Sequence, residues 1–129
     1  MKKLFVLVFA IALCLGALCI GASADYSGTP TKPEQGDGTA QNPYQIDTAA
    51  ELYWFAQTVN EGDYDAHAEL TNDITINENV LDDAGNVNSN SASSFTQWTP
   101  ICGKEIGNFV YTKYTGTFDG GGHSISGLY

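Results

Sequence analysis

Residues 114–129 read YTGTFDGGGHSISGLY, in which two short alternating runs flank three consecutive glycines. A glycine run cradles a phosphate only where a helix follows it, because the first N–H groups of that helix must point at the anion. Here SISGL follows and alternates as a strand does, so a phosphate loop is excluded. The glycines instead predict a tight turn between two strands, with positive φ angles that glycine adopts without steric cost.

Asp119 and His123 border these glycines and are the first candidates for catalysis. They could form an acid–base pair across the turn, but no serine is placed beside them as a nucleophile with an orienting group. An aspartate in a turn commonly accepts hydrogen bonds from backbone N–H groups, which is the favoured interpretation. His67, at the start of another predicted strand, has no partner in the sequence. No catalytic residue is therefore predicted.

The first 24 residues have the composition of a secretory signal peptide. A basic start precedes an apolar run over residues 4–20, and Ala22-Ser23-Ala24 matches a small-x-small cleavage site. The run is slightly shorter than the roughly 18 to 20 residues that span a bilayer, so cleavage after Ala24 is favoured over an uncleaved anchor. The sequence predicts a secreted protein that does not insert into the membrane after cleavage.

Cleavage changes the cysteine and charge balance. Cys14 and Cys19 leave with the signal peptide, so Cys102 remains without a partner for an internal disulfide. Its neighbours supply no histidine, which favours a small buried apolar residue over a nucleophile. Three lysines then face fifteen acids, a net charge of −12, and the sequence contains no arginine. This charge excludes nucleic-acid and anionic-membrane partners and disfavours a lyase acting on acidic sugars.

One amphipathic helix is predicted over residues 49–60. Thr48 and Glu51 have the spacing of a capping box, and Gly62 stands where helices commonly end. Four apolar residues between them have the spacing of one helix face: Leu52, Phe55, Ala56 and Val59. The helix is therefore expected to bury one apolar stripe.

Two features could serve carbohydrate ligands. Tyr53 and Trp54 flank the apolar stripe, where they form either an aromatic sugar platform or, in the favoured interpretation, part of the packing. Fifteen acids also offer many carboxylate pairs of the kind that glycoside hydrolysis uses, although their spacing in space is invisible in the sequence.

The rest of the chain has the period of two that is typical of short strands. Strands are predicted at residues 43–46, 68–70, 74–76, 98–101, 114–118 and 123–129, with a less regular one at 108–111. Residues 25–42, rich in Gly, Pro, Thr and Gln, predict a flexible spacer. One helix before many short strands favours a mainly β fold, with a β-sandwich as the alternative architecture.

Residues 77–97 are predicted to form a long polar loop. Asp82 and Asp83 in this loop raise the question of calcium, which binds several oxygen ligands on a flexible loop. Their spacing misses the alternating ligand positions of such loops, however, and no glutamate closes the loop at its twelfth position. A surface loop without metal is favoured.

Several stretches resemble the N-terminal region of bacterial surface proteins that carry GLUG-motif repeats and are described as adhesin-like. The stretches are YTGTFDGGGHSISGLY at 114–129, GDGTAQNPYQI at 36–46, AELYWFA at 50–56, AELTNDITI at 68–76 and WTPI at 98–101. They occur in the usual order and together cover residues 36–129. The sequence departs from the pattern at Cys102, which stands before the glycine that normally follows WTPI, and the GLUG repeats themselves do not occur.

The resemblance implies a specific architecture and function. Residues 43–129 would form the first coils of a right-handed parallel β-helix, with Leu52, Phe55 and Val59 packed over its open end. The implied function is a non-enzymatic, secreted or cell-surface binding module for host or cell-surface glycans or proteins, without a cofactor or metal. The alternative is part of a β-helix carbohydrate-active enzyme whose catalytic acids lie in further coils. We expect the chain to be an N-terminal fragment of a longer repeat protein, with those coils as partners.

Overall fold

The computed structural model describes Tyr26 and residues 28–101, 105–106, 110–111 and 113–129. One helix and seven short strands occur in these ranges: β1 (Tyr44–Ile46), α1 (Ala49–Glu61), β2 (Ala68–Leu70), β3 (Ile74–Thr75), β4 (Glu105–Ile106), β5 (Val110–Tyr111), β6 (Phe118–Asp119) and β7 (Ile125–Ser126). In the described part of the chain, no helix has the length and apolar character needed to cross a bilayer. The predicted signal peptide and Cys102 lie outside the described residues.

Two of the three sheets formed by the described residues are parallel. Strands β1, β2 and β6 pair in that order, β3 pairs with β7, and β4 forms an antiparallel pair with β5. Ala68 lies opposite Phe118, 50 residues later, and Ile74 lies opposite Ile125, 51 residues later. The segment containing β6 and β7 therefore lies in parallel beside the segment containing β2 and β3. These strands form a mainly β fold, whereas the β-sandwich alternative requires antiparallel sheets packed face to face.

Glycines allow the two segments to approach closely. The segment containing β2 and β3 is called the first segment below, and the segment containing β6 and β7 the second. A Cβ atom at any of three glycines of the second segment would collide with a backbone carbonyl oxygen of the first: Gly116 with Ala66, Gly121 with Leu70, and Gly127 with Asn77. A side chain at these positions would push the segments apart. The glycines of the second segment thus have a packing role as well as a turn role.

The turn predicted at the three glycines is present, with φ values of 57° at Gly121 and 83° at Gly122. It does not join the strands of a hairpin, because β6 pairs with β2 and β7 pairs with β3. It is a corner at which the chain passes from one parallel sheet to the other. The local pattern predicts the turn correctly but not the partners of the strands on either side.

The predicted helix is confirmed and extends one residue further, to Glu61. The Thr48 hydroxyl accepts a hydrogen bond from the Glu51 N–H at 3.3 Å, and the Glu51 carboxylate accepts one from the Thr48 N–H at 3.2 Å. At the other end Gly62 has a φ of 135°, and its N–H donates to the Val59 carbonyl at 3.1 Å. Local hydrogen bonds therefore set both ends of the helix.

The helix supplies the centre of the hydrophobic core. Leu52, Phe55 and Val59 are each fully buried and cluster with inward-facing residues of β1, β2 and β3. The ring of Phe55 also lies 5.7 Å from that of Phe118 and 6.4 Å from that of Tyr114. One helix face therefore contacts both the first and the second segment.

Residues 28–42, predicted as a flexible spacer, lie against the helix and the first strand. The Thr31 N–H donates to the Ala50 carbonyl of the helix at 3.1 Å, and the Gln45 N–H donates to the Gln35 carbonyl at 3.1 Å. The second contact covers the outer edge of β1. These residues belong to the packed unit.

The prediction of a strand at residues 98–101 is wrong. Trp98 donates its N–H to the Tyr129 carbonyl at 2.8 Å, but no strand forms there. Pro100 has no N–H and cannot extend a ladder of hydrogen bonds. The strand predicted at 114–118 begins only at Phe118, after the chain has turned at Gly116.

Asn77 ties the polar loop to the second segment. Its Nδ2 donates to the carbonyls of Thr96 at 2.9 Å and Gly127 at 2.8 Å, and its Oδ1 accepts from the Thr96 N–H at 2.7 Å. The residue is only 2 % exposed. Both amide hydrogens are used, so this buried polar side chain is well satisfied.

Candidate functional site

The outer side of the β1–β2–β6 sheet carries a column of polar side chains. Gln45, Glu69 and Asp119 lie opposite one another in the parallel register. Successive side chains alternate between the two sides of a strand, so these three point away from the core. His67 and Thr117, two positions earlier on the chain, lie on the same side. These five residues are called the polar face below.

Hydrogen bonds fix part of the polar face. The Gln45 amide donates to the Glu69 carboxylate at 3.4 Å, and the Thr117 N–H donates to His67 Nδ1 at 3.2 Å. Because Nδ1 accepts, the neutral imidazole carries its hydrogen on Nε2. Asp119 Oδ1 accepts from the Gly121 N–H at 2.9 Å, which agrees with the predicted turn role of this aspartate. The polar face therefore presents both donors and acceptors.

A shallow cleft of about 230 Å³ opens on the polar face. Four polar-face residues line it together with three small or apolar ones: His67, Glu69, Thr117 and Asp119 with Ala40, Pro43 and Ala68. None of these lining residues is a lysine. The cleft thus combines two carboxylates and a histidine with a short apolar wall.

Glu69 and Asp119 form an acid pair that sequence analysis missed. Neighbouring strands lie about 4.8 Å apart, so directly opposed side chains on them stand side by side. The sequence signal for such outward-facing side chains is a polar residue between two inward-facing ones, as in Tyr44-Gln45-Ile46. That pattern predicts which side chains face outward, but it does not say which strands become neighbours.

The structure does not bring Asp119 and His123 together as an acid–base pair. His123 Nδ1 instead lies 3.7 Å from Asp73 Oδ1, on the corresponding turn of the first segment. That oxygen also accepts from the Ser124 N–H at 2.8 Å and the Ser124 hydroxyl at 3.1 Å. The carboxylate lies between serine and histidine, whereas a catalytic triad places the histidine next to the serine as its base.

The lowered pKa of the Asp73 carboxyl predicts that the protein loses stability in acid. Hydrogen bonds from the Ser124 backbone and hydroxyl lower the pKa of the Asp73 carboxyl, with a smaller contribution from nearby His123. The folded-state pKa lies below the unfolded value of about 3.9, so the stabilisation is complete above that value and disappears as pH falls through the folded pKa. Urea midpoints measured from pH 5 to pH 2 should fall less steeply for Asp73→Asn than for the wild type. Equal slopes would contradict this, and Asp83→Asn provides a control with the same charge change.

Tyr53 and Trp54 are used in packing, as the favoured interpretation predicts. Tyr26 stacks on Tyr53 with ring centroids 4.5 Å apart, and Trp98 meets the Tyr53 ring edge-on at 5.3 Å. Trp54 packs edge-on against Tyr44 at 5.2 Å. Both rings are therefore partly buried and packed against the hydrophobic core.

The polar loop uses its first aspartate for a turn. Asp82 Oδ1 accepts hydrogen bonds from the N–H groups of Ala84 and Asn86, each at 2.9 Å. The bond from the Asn86 backbone is the main cause that lowers the pKa of the Asp82 carboxyl. Within the described ranges, no three His, Cys, Asp or Glu side chains are grouped so that they could hold a metal ion.

No protein-family model matches this sequence, and no curated protein or solved structure matches it either. The resemblance to GLUG-motif surface proteins therefore depends on the sequence stretches alone.

Proposed function

We propose that this chain is a non-enzymatic binding module of the adhesin type, secreted and displayed at the cell surface. Its ligands would be host or cell-surface glycans or proteins. The observation that carries the proposal is the polar face, where in-register strands align donors and acceptors beside a cleft. Stacked parallel strands repeat their outward side chains and so build extended recognition surfaces. The signal-like residues 1–24 support secretion, and the adhesin-like stretches support surface display.

We further propose that the two stacked segments are the first coils of a right-handed parallel β-helix. In this arrangement β2 and β3 belong to one coil and β6 and β7 to the next, while α1 closes the end next to β1. The parallel registers and the glycines at the corners support the proposal. Among the described strands, β6 and β7 pair on one side only, which makes further coils of a parent chain suitable partners there.

The arrangement around Ser124 favours binding over nucleophilic catalysis. Its hydroxyl donates to the Asp73 carboxylate, and the imidazole of His123 approaches the same carboxylate from another direction. A serine becomes nucleophilic when a base accepts its proton and an orienting group holds that base. An ionised carboxylate with a lowered pKa is a weak base for this purpose.

One observation supports the alternative function, a β-helix carbohydrate-active enzyme. Glu69 and Asp119 are directly opposed on neighbouring strands and line the same cleft. Retaining glycosidases place two carboxyl groups about 5 to 5.5 Å apart, a distance that the strand spacing of about 4.8 Å allows. Such an enzyme needs one carboxyl with a raised pKa to act as the acid. Here the cleft is shallow, and Asp119 is exposed and bonded to a turn.

Parallel binding and turnover measurements test the proposed function. The secreted chain is applied to a glycan array and to immobilised extracellular proteins, and the same glycans are assayed for released reducing ends. We expect retention on at least one surface and no release above that of buffer. Release that disappears in Glu69→Gln, but not in Asp83→Asn, would establish the enzyme alternative instead. Absence of binding to every glycan and protein would contradict the proposed function.

A further inference from the structure

We infer that the polar face recognises an uncharged, hydroxyl-rich glycan, with a single sugar ring held in the cleft between His67, Glu69 and Thr117. This inference rests on the proposed binding function. It adds the chemical class of the ligand and the side chains that recognise it.

The polar face combines hydrogen-bond donors and acceptors. His67 presents its Nε2–H, because its Nδ1 accepts from the Thr117 N–H, while the carboxylates of Glu69 and Asp119 accept. A sugar hydroxyl both donates and accepts, so neighbouring hydroxyls can pair with both kinds of group. An ammonium group only donates and could not pair with the His67 N–H. A carboxylate only accepts and would lie beside two like charges.

The cleft is small and has an apolar wall. Its volume of about 230 Å³ is below the roughly 300–1,000 Å³ of pockets for drug-sized ligands. Such a volume suits one sugar ring or the end of a glycan chain. Ala40 and Pro43 give it a short apolar wall, against which the C–H face of a ring can pack. The polar column continues beyond the cleft at Gln45, so a second ring would extend across the strands in that direction.

Exposure to water limits the affinity of the polar face. The cleft is shallow and its carboxylates are partly or largely exposed, so each hydrogen bond replaces one that water makes and contributes little by itself. A single ring is therefore held weakly. Clustered display of the ligand raises the effective concentration and compensates for weak single contacts. The test must accordingly use dense glycan surfaces.

The test is a dense array of neutral, amine-bearing and uronic-acid glycans probed with the full secreted chain. Glu69→Gln removes the charge of one predicted acceptor, Thr117→Val removes one predicted hydroxyl contact, and Asp83→Asn removes a charge from the polar loop. We expect retention on neutral glycans, a reduction of about threefold in apparent affinity for Glu69→Gln, since the contact is exposed to water and hydrogen bonds to charged groups are the stronger ones, and a smaller one for Thr117→Val. Asp83→Asn should bind as the wild type does. Unchanged thermal unfolding of each variant shows that the fold is retained.

The outcomes separate this inference from the proposed function. Preference for amine-bearing or uronic-acid glycans overturns the ligand class. Neutral-glycan binding that neither polar-face variant alters overturns the site, although the binding function stands. Binding to proteins without binding to any glycan likewise overturns only the inference. Failure to bind any surface contradicts both.

Discussion

Replacing Gly127 by alanine should lower the free energy of unfolding by about 3 kcal/mol, roughly 2 kcal/mol more than the same replacement at Gly122. Both glycines have positive φ, 71° and 83°, so both replacements strain the backbone to a similar extent. Only Gly127 also lies against another segment. A Cβ there would stand 2.6 Å from the Asn77 nitrogen and overlap the Asn77 carbonyl oxygen, whereas at Gly122 it would meet nothing within 4 Å.

Urea unfolding of the two variants measures this difference. Because the backbone strain is common to both, the difference between them isolates the cost of separating the stacked segments. Equal destabilisation by the two replacements would mean that Gly127 does not lie in close contact with the Asn77 backbone. A larger loss of unfolding free energy for Gly122→Ala than for Gly127→Ala would contradict the close contact between the two segments.

Replacing Asn77 by aspartate should cost about 3 to 5 kcal/mol at neutral pH, although the two side chains have nearly the same shape. The buried amide donates to two carbonyls, those of Thr96 and Gly127. An ionised carboxylate cannot donate, so it would place a buried negative charge against two carbonyl oxygens. Asn90→Asp is the matched control: this residue is exposed and has no positive φ, and the change should alter stability by no more than about 0.5 kcal/mol.

The cost of Asn77→Asp should also depend on pH. Burial beside carbonyl oxygens favours the neutral acid, so the introduced carboxyl has a higher pKa in the folded state than in the unfolded state. The penalty is therefore complete above the folded-state pKa and is removed as pH falls below the unfolded value of about 3.9. Urea midpoints of the variant and the wild type should converge in acid. A gap that stays constant with pH would rule out an introduced buried charge as its cause.

The helix is determined by the sequence close to it. Thr48 and Glu51 bond to each other's backbone across one turn, and Gly62 ends the helix with bonds to the preceding turn. The apolar stripe is likewise a local pattern, and it correctly predicts Leu52, Phe55 and Val59 as buried. All of these interactions join residues a few positions apart, so local spacing carries the information.

Sequence periodicity also predicts most of the strands and their inward faces. It fails at residues 98–101, where an apolar stretch resembling a strand makes one backbone contact to Tyr129 but joins no sheet. Whether such a stretch becomes a strand depends on whether a neighbouring strand is available. That is a property of the assembled chain and not of the stretch itself.

Only the tertiary structure decides which polar residues meet. Gln45 lies beside Glu69, 24 positions later, and Glu69 lies beside Asp119, 50 positions later. In the same way His123 lies near Asp73 and not near Asp119, although Asp119 is much closer to it in sequence. The sequence by itself determines the helix, the corner glycines and the acidic character of the chain, because these follow from local conformation and composition. The polar face forms because strands far apart in the sequence pair in parallel, and no local pattern specifies which strands pair.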